Sequence, residues 1–75
     1  IKNKMTNAEQ AREFIENSLN WLEKSVLEKN NVLVKNNSQG FNTLIAEYKN
    51  IIGNKSVSAY AKNYTEIMKN GGYLK

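Results

Sequence analysis

Apolar residues recur along this chain at steps of three and four, the spacing of one helix face and not of a strand. The first stripe is Ala8, Ala11, Ile15, Leu19, Leu22 and Val26. It opens behind Thr6-Asn7-Ala8-Glu9, a capping box in which each side chain satisfies a backbone donor of the other. The pattern predicts a helix over about 7–29. Asn30-Asn31 can end it, yet Leu33 continues its stripe, so 30–35 is assigned to neither helix nor loop. Asn36-Asn37-Ser38-Gln39-Gly40 reads as a loop, with Ser38 as N-cap of a second helix over about 39–52. That helix carries Phe41, Leu44, Ile45, Tyr48, Ile51 and Ile52 and stops at Gly53. Val57, Tyr60, Ala61, Tyr64, Ile67 and Met68 mark a third helix over about 56–69, ended by Gly71. Three helices joined by short connections predict an all-α, compact three-helix bundle with a long first helix.

Phe14 and Trp21 lie one heptad apart, about 100–120° round from Ile15, with Ser18 and Ser25 between them and the main stripe. The apolar arc of the first helix is therefore about 160° wide, against a minimal face of roughly 100°. Such a helix touches two neighbours, or one neighbour and a partner chain.

The chain's 75 residues allow one domain whose core is marginal. Residues 1–5, with Ile1-Lys2-Asn3-Lys4 ahead of Met5, are read as a disordered or non-native end. Cys and His are both absent, which excludes a disulfide framework and the usual zinc sites. Packing or self-association must then supply stability, so a homodimer is one expectation. A core this small calls on every large apolar side chain, which predicts burial of Phe14 and Trp21 inside the monomer. If exposed, they form a protein interface. No apolar run exceeds three residues, far short of the roughly 18 a membrane span needs.

Catalysis is not expected. Hydrolytic and acyl-transfer chemistry draws on His, Cys, Asp or a metal, and the chain contains none of those three residue types. The glutamates of the first helix read as a solvated face. Asn70-Gly71-Gly72 follows a helix, whereas a phosphate-binding glycine turn precedes one. No cofactor and no metal are expected.

Charge adds the one directional hint. Residues 1–30 balance five cations against five glutamates, so the whole net +4 lies in 31–75, where six lysines face Glu47 and Glu66. On the third helix Ser58, Lys62, Thr65 and Lys69 step by four, three and four along the side opposite Tyr60, Tyr64 and Ile67. Lys55 projects toward the same side, and Lys49 with Lys35 adds electrostatic attraction. Ser, Thr and Lys are phosphate-contacting residue types, and helix, glycine turn and polar-faced helix form the skeleton of a helix-turn-helix. The match is loose. Lys49 stands where that motif carries a small residue, Asn54 where it carries an apolar one, and the face has no Arg. Tyr48, Tyr60 and Tyr64 fall on the apolar stripes; Tyr73 alone is free to stack on a base.

The leading expectation is a non-catalytic nucleic-acid-binding module using Lys49, Lys55, Ser58, Lys62, Thr65 and Lys69, which would place the chain in the cytoplasm. The alternative is a protein–protein interaction module using Phe14 and Trp21, such as a small phage, plasmid or secreted inhibitor or adaptor.

Overall fold

The computed structural model describes residues 6–74, so the expectation for 1–5 lies outside the described residues. Three helices follow one another: α1 (Asn7–Leu27), α2 (Asn31–Ile52) and α3 (Asn54–Asn70). The three-helix bundle is thus as the periodicity predicts.

The capping box forms as read. Glu9 N–H donates to Thr6 Oγ1 at 3.1 Å, and Thr6 N–H donates to Glu9 Oε1 at 2.9 Å. Helix α1 then closes in a Schellman turn: Asn30 N–H reaches Ser25 O (3.1 Å), Lys29 N–H reaches Val26 O (3.0 Å), and Lys29 takes φ 57°. Asn30 immediately caps the next helix, its Oδ1 accepting from Leu33 N–H at 3.2 Å.

That cap corrects the reading of 36–40 as a loop and of Ser38 as an N-cap. Both lie inside α2, which begins at Asn31 and not near 39. Asn, Ser and Gly disfavour helix by local propensity, Gly40 by roughly 0.8–1 kcal/mol relative to Ala. Tertiary contacts overrule them. Asn37 Nδ2 donates to Ser25 Oγ (2.7 Å) and Trp21 O (3.3 Å), the Ser38 and Tyr64 hydroxyls hydrogen-bond to each other, and Val34 and Phe41 are buried on either side. A further correction concerns the start of α3, at Asn54 in place of Ser56. Gly53 alone links α2 to α3, capping the end of one and the start of the other at φ 87°, ψ 157°, backbone angles open essentially to glycine.

Helices α1 and α2 pack side by side, and α3 lies across the groove they form. Ala11, Ile15, Leu19, Phe41 and Ile52 make one buried cluster; Leu22, Val34 and Met68 make a second. Tyr64 and Ile67 of α3 pack against both. Tyr64 also stacks on Phe41, with ring centroids 4.8 Å apart and planes within 5°. The Cα envelope is 16 Å in its shortest direction. That is close to the depth of two helix layers, about 9 Å between axes plus a Cα radius of about 2.3 Å on each side. Among the described residues the α1–α2 pair therefore has α3 on one face and no third layer on the other.

Candidate functional site

The uncovered face carries the two aromatics singled out in the sequence. Their expected burial is corrected: Phe14 is 49% and Trp21 60% exposed. The reason is the narrowness of the real core stripe. Ala11, Ile15, Leu19 and Leu22 point at α2 and α3, while Phe14 and Trp21, some 100° further round, pass the edge of α2. Phe14 meets only the margin of α2, its ring centroid 6.4 Å from that of Tyr48. Trp21 has Lys24 Nζ 5.3 Å from its ring centroid, within reach of a cation–π attraction.

Beside Trp21 the two helices are tied by polar atoms. Ser25, itself buried, donates to Trp21 O (2.8 Å) and accepts from Asn37, so its hydroxyl is satisfied as both donor and acceptor. Asn37 lies on a stripe of α2 with Leu33, Gly40, Leu44 and Ile51. Leu33 and Ile51 are 41% and 46% exposed. The surface is thus Phe14 and Trp21 from one helix, Leu33 and Ile51 from the other, with Ser18, Asn37 and Gly40 between. Leu33 and Ile51 were read as members of two separate apolar stripes and Gly40 as part of a loop. That the three share one exposed face was missed, because a loop at 36–40 breaks the stripe that joins them. The signal was present in the Asn30 cap three residues ahead of Leu33.

The basic face is also formed as spaced. Lys55, Ser58, Lys62, Thr65 and Lys69 are exposed on α3, as are Lys35 and Lys49 on α2. The Thr65 hydroxyl is turned back on its own helix, donating to Ala61 O at 2.9 Å. The one-residue link at Gly53 is shorter than the three- or four-residue turn of a helix-turn-helix. Tyr48, Tyr60 and Tyr64 are half-buried against the core. Tyr73, expected to be free, instead packs on the second cluster and donates to Asn31 Oδ1 at 2.5 Å.

A groove of about 620 Å³ runs between α1 and α3, floored by Leu19, Val26 and Ile67 and walled by Glu16, Glu23 and Glu66. Tyr60 bridges it, its hydroxyl donating to Glu16 Oε2 at 2.9 Å. Burial, followed by this bond and the Glu16 charge, holds the phenol above its ordinary value. Among the described residues no three His, Cys, Asp or Glu side chains converge as a metal site would need. No helix among the described residues is long and apolar enough to cross a membrane. Comparison with protein-family models, curated proteins and solved structures finds no match.

Proposed function

We propose that this chain is a non-catalytic protein-interaction module whose docking surface is the outer face of α1 and α2. The observation that carries this reading is the exposure of Phe14 and Trp21 on a fold whose other aromatics are at least half-buried. An exposed Trp among apolar neighbours, with the Lys24 ammonium beside its ring, is the composition of an interface centre, where one anchor supplies much of the affinity. The test is capture of partners from source-cell lysate on the immobilised chain and on its Trp21→Ala variant. Loss of capture by roughly thirtyfold or more is expected on truncating such an anchor. Capture that Trp21→Ala leaves unchanged overturns the reading.

The second reading, nucleic-acid binding by α3, is favoured by the exposure of Lys55, Ser58, Lys62, Thr65 and Lys69 along one side of a helix. Anisotropy of labelled single- and double-stranded DNA tests it. Binding that weakens steeply with salt and is abolished by Lys62→Glu with Lys69→Glu supports phosphate contacts. Absence of binding at low salt disposes of them.

A further inference from the structure

Resting on the docking-surface reading, we infer that the partner is a second copy of this chain, and that the two α2 helices cross at Gly40. Gly40 is the observation that points there. It sits in the interior of α2, where glycine is a poor helix former, and its φ is not positive. A Cβ at this position would meet nothing within 4 Å. Neither backbone geometry nor packing inside the monomer therefore requires glycine. What a missing side chain permits is close approach of another backbone from outside. Gly40 lies on the stripe with Leu33 and Ile51, one turn from Asn37, whose amide donates to the backbone carbonyl of Trp21, so the bare spot shares the face that carries the exposed tryptophan.

The area available fits a like partner. With full side chains of about 150–250 Å², the exposed fractions of Phe14, Trp21, Leu33 and Ile51 leave roughly 400 Å² of apolar surface per copy. Two copies bring about 800 Å² together, and at the roughly 65% apolar share of homodimer interfaces this implies about 1,200 Å² in all. That reaches the threshold of a stable, specific interface, about 1,200–2,000 Å². A two-fold pairs a patch with itself, so the patch must not repel itself at the axis. Ser18, Asn37 and Gly40, between the apolar residues, carry no charge, and the Lys24 ammonium beside them lies 5.3 Å from the centroid of the Trp21 ring, whose face attracts a cation.

Sedimentation across a dilution series from millimolar to low micromolar tests this, with the emission of Trp21, the chain's single tryptophan, followed in parallel. The mass is expected to double with concentration while Trp21 emission shifts to the blue. Gly40→Gln supplies a better helix former and a long side chain at the crossing. It is expected to raise the melting temperature of the dilute monomer by about 2–5 °C and to abolish the doubling. Dimerisation of Gly40→Gln as tight as that of the unaltered chain overturns the crossing. A chain that stays monomeric at millimolar concentration overturns the second copy as partner. If that monomer still captures another protein in a Trp21-dependent way, the docking-surface reading stands; if it does not, both fall.

Discussion

The two faces of the α1–α2 layer are built from the same two helices and end differently. On the inner face, Ile15, Leu19, Leu22, Val34 and Phe41 are covered by α3. On the outer face, Phe14, Trp21, Leu33 and Ile51 are left open. Apolar content alone does not separate them. What does is the chemistry of the cover. Tyr60, Tyr64 and, just beyond α3, Tyr73 each pack a ring on the layer and hydrogen-bond a polar group of α1 or α2: Glu16, Ser38 and Asn31. A half-buried hydroxyl left unpaired would cost stability, so these bonds fix where α3 lies as well as that it binds. On the outer face the Asn37 amide nitrogen and the Ser25 hydroxyl are used in joining α1 to α2, so those donors do not tether a third helix of the same chain.

The sharpest way to break the comparison is to remove one large side chain from each face. Phe41 is buried and stacked on Tyr64, so Phe41→Ala is expected to cost about 3–5 kcal/mol through lost transfer energy and a cavity. A domain this small has little more than that in total, and cooperative unfolding in urea should disappear. Trp21→Ala, measured on dilute protein, should shift stability by no more than about 0.5 kcal/mol. A large loss with Trp21→Ala would mean that the outer face is part of the monomer's core.

The next largest effect tests how closely the end of α3 is seated. A Cβ on Gly71 would fall on Cγ1 of Val26, a β-branched side chain that cannot swing aside freely. Gly71→Ala should therefore cost about 1–3 kcal/mol as overpacking does. Adding Val26→Ala should recover part of that loss if the clash is its cause, a coupling that a double-mutant cycle reads directly.

The inner face was legible in the sequence, and the outer one only in part. Every buried residue of α1 except Ser25 falls on the stripe read by spacing, because a core position must repeat at the helical period. The capping box and both glycine stops were legible for the same reason, being local chemistry. The run Asn36–Gly40 was not. Its residues argue for a loop one by one, and only contacts with Trp21, Ser25 and Tyr64, far away in the chain, hold it helical. Exposure of Phe14 and Trp21 was illegible too, because whether a wide apolar arc is covered depends on where α2 runs, which no spacing within α1 encodes.

Smaller effects separate the corner of the layer from the end of its cover. Helices α1 and α3 stop in the same Schellman turn, with Lys29 (φ 57°) in the left-handed position of one and Gly72 (φ 83°) in that of the other. A side chain there costs about 1 kcal/mol through its Cβ. Lys29→Gly should thus stabilise by about 0.5–1 kcal/mol and raise the melting temperature by a few degrees. Gly72→Ala, which meets nothing within 4 Å, should lose a similar amount by conformation alone. Equal and opposite shifts would show two interchangeable stops. A neutral Lys29→Gly would mean that the lysine side chain contributes something at that corner beyond its backbone angle.

The smallest effect probes a single tether of the cover. Tyr60 is held above its ordinary value of 10.0 by burial, by its bond to Glu16 and by the Glu16 charge. The folded state therefore favours the neutral phenol. The stabilisation is fully present below the unfolded value and is lost as pH rises through the folded one. Raising pH past 10 should weaken the attachment of α3 while leaving the Asn37–Ser25 tie between α1 and α2 intact, since neither group titrates there. Melting temperature against pH, for the unaltered chain and for Tyr60→Phe, reads this out. The variant starts slightly less stable and should decline less steeply on the alkaline side. Parallel curves would assign the decline to other groups and leave Tyr60 as a packed ring whose hydroxyl does not hold α3 in place.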